Sequence, residues 1–198
     1  MHISEGILSG GVLAIGWAGT VAGVSYGLKK TNPDRIIQTA LISSAFFLAS
    51  LVNVRIGPSS THLALLAPMG LILGQAVFPA VFAALLLQAV VFGFGGLVVL
   101  GANTLVMGVP ALAVHAVFGR AVRESSGKIS AALAFMAGAL AVMMGAGIAG
   151  LFLWMTDADF AGAVKLLLVA HVPVALIEGV VTAFLVMWLK KSAPEFLS

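Results

Sequence analysis

The chain has 198 residues, of which 61% are hydrophobic and only 9% are charged, and this composition excludes a soluble domain. Cysteine is absent, which excludes disulfides, thiolate metal sites and cysteine nucleophiles. The net charge of +3 is no nucleic-acid signature, because the basic residues lie in separate short loops. We therefore expect an all-α, polytopic membrane protein.

Seven apolar segments, each bounded by charge, proline or glycine, predict seven transmembrane helices. They cover roughly residues 7–28, 35–54, 62–78, 79–101, 103–122, 129–155 and 162–190. The Phe78-Pro79 pair is the predicted break between the third and fourth helices. The linkers are short, which predicts that residues 1–198 form a single integral-membrane domain with a distinct N-terminal segment, 1–6.

Lysine and arginine are unevenly distributed between the two ends of this bundle. The loops after helices 1 and 5 and the C-terminal tail carry eight of them, whereas the opposite side holds only Arg55 and Lys165. The positive-inside rule therefore predicts an external N-terminus and a cytoplasmic C-terminus. The first apolar stretch runs beyond the length of a signal peptide, so the mature protein is expected to begin at Met1.

Met1 and His2 offer three nitrogen donors within two residues: the α-amine, the amide nitrogen of His2 and the His2 imidazole. Chelation through them fills three corners of a square, a geometry that suits Ni²⁺, Cu²⁺ or low-spin Co²⁺. His62 lies in a loop predicted on the same outer side, which makes it the candidate for the fourth corner. Alternatively, His2 and His62 are ordinary residues of a membrane protein.

Four further side chains are candidates for gating or for orienting a ligand. Asn103 is predicted in the tight turn after helix 4, on the outer side. His171 and Glu178 share one face of helix 7, about 10 Å apart, and an intramembrane carboxylate indicates a function. Glu178 could balance the charge of an ion or hydrogen-bond between helices, with Asn103 or Gln88 as donor. Glu5 could orient a ligand imidazole or cap helix 1.

Helix 1 has two ladders of small residues, Gly19-Gly23-Gly27 and Ala14-Ala18-Ala22. Such a stripe is typical either of docking to a partner membrane protein or of packing inside the protein's own bundle. Two enzyme signatures are absent from the sequence: the G-x-x-x-x-G-K-[ST] phosphate loop and the H-E-x-x-H zinc motif. The chain is therefore not expected to hydrolyse nucleotide by itself, and an enzyme is the less favoured class. We interpret His115 as structural.

Four stretches are similar to a known family: MHISEG at 1–6, GPSSTHL at 57–63, LQAVVFGFGGLVVLGANTLVMG at 87–108 and AHVPVALIEGVVTAF at 170–184. Through them the chain resembles the substrate-binding S components of energy-coupling-factor (ECF) nickel and cobalt importers, the CbiM/NikM family. The resemblance implies that Ni²⁺ or Co²⁺, the transported substrate, is bound by Met1, His2 and His62. Ser4 stands where many relatives have proline.

The resemblance also implies partners in a prokaryotic plasma membrane. These are a transmembrane coupling subunit, two cytoplasmic ATPase subunits and membrane lipid. A small accessory membrane subunit, expected as a separate chain, is a further candidate. Two rival functions stay open at this point. One is a self-contained secondary transporter or channel with Glu178 and His171 as the ion path. The other is an S component for a vitamin-type substrate.

Overall fold

The computed structural model describes residues 2–51, 53–56 and 59–197, with the backbone alone for 53–56 and 59–62. This part of the chain contains seven α-helices and a small three-stranded sheet. The helices are α1 (Gly10–Lys30), α2 (Ile36–Ser50), α3 (Leu66–Leu73), α4 (Val77–Phe92), α5 (Leu100–Glu124), α6 (Gly127–Thr156) and α7 (Ala161–Ser192). The strands are β1 (His2–Ile3), β2 (Asn53–Ile56) and β3 (Ser59–His62).

Five stretches of the described chain are long and apolar enough to cross a membrane. They are Gly10–Lys30, Leu66–Phe92, Leu100–Glu124, Gly127–Thr156 and Ala158–Ser192. α2 has 15 residues, fewer than the roughly 20 that a typical spanning helix needs. The chain is therefore a multi-pass membrane protein, as its composition predicts.

The stretch from Leu66 to Phe92 reverses direction inside the bundle. A Cβ added at Gly70 would strike Ala111, and one at Gly74 would meet His115, so α3 and α5 run in the same direction. Phe78 then packs on Gly108, so α4 runs back along α5. The reversal falls at a 3₁₀ turn, Gly74–Ala76, where Gly74 has φ +56°.

The predicted break at Phe78-Pro79 is therefore misplaced by about one turn. Pro79 lies in the first turn of α4, where the backbone N–H groups have no acceptor within the helix, so a proline there costs no helical hydrogen bond. The positive φ of Gly74 ends α3 before that proline is reached.

The two ends of the bundle are defined by contacts between distant segments. At one end the Ser9 amide donates to Thr156 Oγ1 at 3.2 Å, which joins the start of α1 to the end of α6. At the other end Lys190 Nζ donates to the carbonyl of Arg123 at 3.2 Å and to that of Ser125. β1 and the C-terminal end of α7 therefore lie at opposite ends of the bundle. The external location of β1 stays a prediction.

The sheet was not predicted, and it corrects the ends of helices 2 and 3. Helix 2 was expected to reach residue 54 and helix 3 to begin at 62, but both boundaries fall in strands of an antiparallel sheet ordered β1-β3-β2. The sequence between them contains Gly57-Pro58 and a run of hydroxyl side chains, which disfavour a continuous helix. The long-range pairing with β1 is the part that no local pattern indicates.

The prediction that helix 4 continues to residue 101 is also wrong. α4 ends at Phe92, and Gly93, Gly95 and Gly96 all have positive φ, which is incompatible with a helix. Asn103 consequently lies in the first turn of α5 and not in a turn after helix 4.

The glycine ladder of α1 packs inside the bundle. A Cβ at Gly19 would strike Leu105 of α5, and one at Gly23 would strike Phe78. The alanines of the neighbouring ladder, Ala14, Ala18 and Ala22, are exposed on the outer surface of α1. Internal packing is therefore the interpretation that the structure supports for the glycines.

Candidate metal centre

His2 is buried, with 5% of its surface exposed, and its imidazole is the first member of a hydrogen-bonded chain. Its Nε2 lies 2.8 Å from Oε1 of Gln88 on α4. The amide nitrogen of Gln88 donates to Ser50 Oγ at the end of α2. Ser50 Oγ donates in turn to the carbonyl of Phe47 at 2.7 Å. The N-terminal strand is thus joined to two helices of the bundle.

This relay fixes the tautomer of His2. Ser50 has one hydroxyl proton, which goes to the carbonyl of Phe47, so its oxygen must accept from the NH₂ group of Gln88. Gln88 therefore presents its carbonyl oxygen to His2, and His2 must donate from Nε2. The proton of the neutral ring is on Nε2, and the lone pair is on Nδ1. Nδ1 is the atom that chelation with the His2 amide requires.

Burial keeps the imidazole of His2 neutral. Removal from water, followed by the positive charge of the N-terminal amine, lowers the pKa of His2 to about 3, although the hydrogen bond to Gln88 opposes both effects. At physiological pH the ring therefore carries the lone pair that a metal ligand needs.

Asn103 holds the main chain of Ile3, the residue that follows His2. The amide N–H of Ile3 donates to Asn103 Oδ1 at 2.8 Å, and Asn103 Nδ2 donates to the carbonyl of Ile3 at 3.0 Å. The side-chain amide thus pairs with β1 as a neighbouring strand would, and the Ile3 side chain is fully buried. Asn103, predicted as a gating or orienting residue, positions the N-terminal strand.

On the opposite edge, β1 pairs with β3. His2 is opposite Ser60 and Ile3 is opposite Ser59, and His62 stands two positions along β3 from Ser60. Positions related in this way are diagonal neighbours, about 7–8 Å apart in an antiparallel sheet. Met1 and the side chain of His62 lie outside the described part of the structure, so the ligand set Met1, His2 and His62 stays a prediction. Among the side chains that are described, no three of His, Asp or Glu converge on one point.

The α4–α5 loop lies against the N-terminal segment, and only glycine fits it there. A Cβ added at Gly95 would lie 2.9 Å from Asn103 Nδ2 and 3.5 Å from His2 Cδ2. A Cβ at Gly96 would collide with the carboxylate of Glu5. Glu5 is exposed and α1 begins only at Gly10, so the structure does not support capping of helix 1, one of the two roles left open for Glu5.

Glu178 is buried on α7 and accepts hydrogen bonds from the junction between β3 and α3. Its Oε1 accepts from the amide of Ala64, and both its oxygens accept from that of Leu65, at 3.0 and 3.2 Å. Leu65 has φ +48°, and this left-handed residue forms a concave pair of N–H groups that suits a carboxylate. The expectation that Asn103 or Gln88 donates to Glu178 is wrong, because both of those amides hold the N-terminal strand.

His171 is fully buried on the same face of α7 as Glu178, two helical turns earlier in the chain. Its Nδ1 lies 2.7 Å from the carbonyl of Leu167. Its Nε2 is buried and has no hydrogen-bond partner. His115 lies beside Gly74 at the far end of α3.

Sequence reasoning did not assign Gln88 and Ser50 to the metal centre. The signal for Gln88 was the isolated amide in the apolar run Leu85-Leu86-Leu87-Gln88-Ala89-Val90, because a polar side chain in a spanning helix usually has a partner inside the protein. Nothing in the sequence indicates that this partner is His2.

The fold and the site together define a polytopic membrane protein in which the imidazole of His2 is buried among the helices. A family model described as "Cobalt uptake substrate-specific transmembrane region" matches residues 2–196. The chain belongs to this family. It is thus a multi-pass plasma-membrane protein of cobalt and nickel transport and not an enzyme.

Individual relatives and a solved structure agree with this assignment. A protein of Haemophilus influenzae that is named for metal transport is 37% identical over 200 residues, which cover 100% of this chain and 97% of the relative. The fused nickel transport protein NikMN of Rhodobacter capsulatus is 34% identical, and the match covers 100% of this chain and 64% of that protein. The crystal structure of a transition metal transporter superposes with a TM-score of 0.82 at 25% identity, covering 96% of this chain and 93% of the other.

Proposed function

We propose that this protein captures Ni²⁺ or Co²⁺ at the external face of the membrane as the substrate-binding subunit of an ECF importer. The ion, as transported substrate, is bound in a square plane by the Met1 amine, the amide nitrogen and Nδ1 of His2, and the imidazole of His62. Four nitrogen donors in a plane suit these ions and disfavour Mg²⁺ and Ca²⁺, which prefer oxygen ligands.

The relay from His2 to Gln88 and Ser50 is the observation that carries the proposal. It assigns the ring proton to Nε2, so that Nδ1 has the lone pair needed for a six-membered chelate ring with the amide of the same residue. Metal-bound histidines usually donate their other ring N–H to an oxygen in this way, which orients the ring.

The pairing of β1 gives further support. The N–H and C=O groups of Ile3 are both bonded to Asn103, on the edge of β1 away from β3. Successive residues of a strand direct these groups to opposite edges, so the amide nitrogen of His2 is directed toward β3. β3 is the strand that contains His62.

Metal content of the purified protein tests this site directly. We expect the untagged or C-terminally tagged protein to retain equimolar Ni²⁺ or Co²⁺ in elemental analysis and to show the visible absorption of a planar nitrogen complex. His2→Ala, His62→Ala and an extension before Met1 should each abolish bound metal. His115→Ala, remote from β1, is the matched control and should bind like the wild type. Full affinity in the extended form would overturn the chelate.

The ECF partnership is the second part of the proposal. Uptake should require a transmembrane coupling subunit and two cytoplasmic ATPase subunits, with a small accessory membrane subunit as a further component. Vesicles containing this chain alone should accumulate no ⁶³Ni²⁺, and vesicles with all subunits should accumulate it only when ATP is supplied on the ATPase side. ATP-independent uptake by the chain alone would favour the self-contained transporter.

The structure gives the rival ion path through Glu178 and His171 little support, because the oxygens of Glu178 already accept from the amides of Ala64 and Leu65. An S component for a vitamin-type substrate would be indicated by an organic ligand in the purified protein together with no retained metal. Mass spectrometry of a denatured sample distinguishes that outcome.

A further inference from the structure

A polar pocket and an apolar groove meet at the end of the bundle opposite His2. The pocket, of about 360 Å³, lies between the C-terminal end of α1, the start of α2 and the α3–α4 turn. The groove, of about 620 Å³, runs along the surfaces of α2 and α4. Thr31 and Thr39 line both, so the two volumes are adjacent.

The pocket has the charge and hydrogen-bonding character of an anion site. Lys30 and Arg35 line it, and none of its described lining residues is acidic. Nε2 of Gln38 is buried there without a hydrogen-bond partner. The hydroxyls of Thr31 and Thr39 donate to the carbonyls of Gly27 and Arg35, so they do not satisfy a ligand's acceptor atoms. An oxygen-rich anion would give the amide of Gln38 its acceptor and would be attracted by the positive charge of Lys30.

The groove has the opposite character and opens to the side of the bundle. Its walls include Leu28, Ile36 and Leu87, whose exposed fractions are 60%, 57% and 53%. Pro79 and Ala83 of α4 form part of its floor. A groove of this size is within the range that accommodates organic ligands.

The position of the pocket and groove relative to the membrane indicates whether a lipid or a partner helix binds there. Lys30 is the last residue of the apolar stretch Gly10–Lys30, which places the pocket at the level of lipid headgroups. The groove extends from there along the membrane-facing surface. A polar, basic end and an apolar side in this arrangement match the headgroup and the acyl chain of a phospholipid, whereas a partner helix with an apolar contact face would offer Gln38 no acceptor.

We propose that the pocket and groove together bind one anionic phospholipid, with its phosphate beside Lys30 and Gln38 and one acyl chain in the groove. This site is independent of the metal centre at His2. Basic residues at the membrane surface attract anionic lipid in general, but an apolar groove next to the pocket adds a defined position for the acyl chain.

Lipid binding to the purified full-length protein in detergent tests the proposal. We expect native mass spectrometry to show one retained phosphatidylglycerol, and added phosphatidylglycerol to raise the melting temperature more than phosphatidylcholine with the same acyl chains. The double variant Lys30→Gln/Gln38→Leu should lower the affinity for phosphatidylglycerol at least tenfold. Lys29→Gln removes the same charge from an exposed neighbour that does not line the pocket, and it should leave the affinity unchanged.

A second pair of variants tests the groove. Ala83→Trp places a large side chain in the exposed groove and should displace the lipid, whereas Ala18→Trp on the exposed surface of α1 should not. Equal effects of Lys29→Gln and Lys30→Gln would show nonspecific attraction and overturn the proposal. So would stabilisation by inorganic phosphate that Ala83→Trp leaves intact, because the site would then bind a free anion. The proposal would also be overturned if the purified protein retained no lipid and the groove were protected from chemical labelling only when the coupling subunit is present. The groove would then be a contact site for that subunit.

Discussion

The side chain of Gln88 determines which nitrogen of His2 carries the proton. A neutral imidazole exists in two tautomers of similar energy in water, and only one of them leaves Nδ1 available next to its own amide. In this protein the choice is made by the fixed direction of a side-chain amide, and that direction follows from the single proton of Ser50.

Gln88→Leu is expected to weaken Ni²⁺ and Co²⁺ binding about 10–100-fold, as is usual when the hydrogen-bond acceptor of a ligand histidine is removed. Gln88→Glu keeps an oxygen opposite Nε2 and should restore most of the affinity. Competition with a calibrated chelator measures both. Equal affinity of the wild type and Gln88→Leu would show that the relay does not orient the ligand.

The low pKa of His2 has a defined consequence for pH. Unfolded His2 binds a proton below about pH 6.5, but the folded form does so only near pH 3. Stability decreases as the pH is lowered wherever the unfolded state binds more protons, so burial of β1 should become less favourable by up to about 1.4 kcal/mol per unit as the pH falls from 6.5 towards 3. Protection of the Ile3 amide from hydrogen exchange in the metal-free protein should decrease accordingly below pH 6. Protection that is unchanged from pH 7 to 5 would contradict the buried neutral ring.

Metal affinity should also decrease as the pH is lowered, but for a different reason. The amine and the His2 amide must each lose a proton on binding, so affinity decreases about tenfold per pH unit for each proton released. His2 itself contributes no proton between pH 5 and 8, because its ring is already neutral. Titration calorimetry in buffers of different ionisation enthalpy counts the released protons.

At the scale of elements, the β3–α3 junction is held by a carboxylate from α7. The amides of Ala64 and Leu65 have no helical acceptor at the start of α3, and Glu178 supplies one inside the bundle. Ala64 is two residues beyond His62, so the same contact fixes the end of the strand that carries the proposed fourth ligand. Glu178 therefore acts as a bond between elements, which was one of the two roles expected for it.

Glu178→Ala should leave two buried N–H groups without an acceptor, at a cost of about 1–3 kcal/mol each. We expect a lower melting temperature and weaker metal binding, because the start of α3 and the end of β3 lose their anchor. Glu178→Gln keeps one acceptor oxygen and should be milder in both measurements. Metal-stimulated uptake that is lost in Glu178→Gln at unchanged stability and affinity would favour an ion-path role instead.

Helix contacts are equally specific at Gly70. A Cβ there would strike the main-chain carbonyl of Ala111, and neither backbone can retreat without moving a helix. Gly70→Ala should therefore destabilise the protein by about 1–3 kcal/mol. Gly147→Ala in α6 meets nothing within 4 Å and should be neutral or stabilising by up to about 1 kcal/mol. Thermal unfolding in detergent compares the two, and equal melting temperatures would contradict close α3–α5 packing.

For the molecule as a whole, the important relation is between its two ends. β1, Gln88 and Asn103 lie at one end of the bundle, and Lys190 with the carbonyls of the α5–α6 connection lies at the other. If the positive-inside rule applies, the metal centre faces outward and the proposed lipid pocket beside Lys30 faces the cytoplasm.

The absence of cysteine allows this orientation to be measured with single substitutions. Ser4→Cys and Ser192→Cys are both exposed positions at opposite ends of the bundle. A membrane-impermeant maleimide should label Ser4→Cys in intact cells and Ser192→Cys only after the membrane is permeabilised. The reverse pattern would place β1 in the cytoplasm and contradict loading from outside.

The sequence alone determined the membrane class, most helix positions and the family, and it predicted the chelate at the N-terminus. Transfer of apolar side chains into lipid depends on composition and length, and a chelate between adjacent residues depends only on their order, so both are visible in one dimension. The single integral-membrane domain expected for residues 1–198 also follows from composition and linker length, and it stays a prediction.

Only the tertiary structure decided how the N-terminal strand is held. The pairing of β1 with β3, the grip of Asn103 on Ile3, and the relay through Gln88 join residues separated by some 40 to 100 positions. Local preferences cannot indicate such contacts, because each polar group accepts any partner of suitable geometry and the folded bundle selects which one is near. The same selection gave Glu178 two main-chain amides as partners in place of the side chains expected for it.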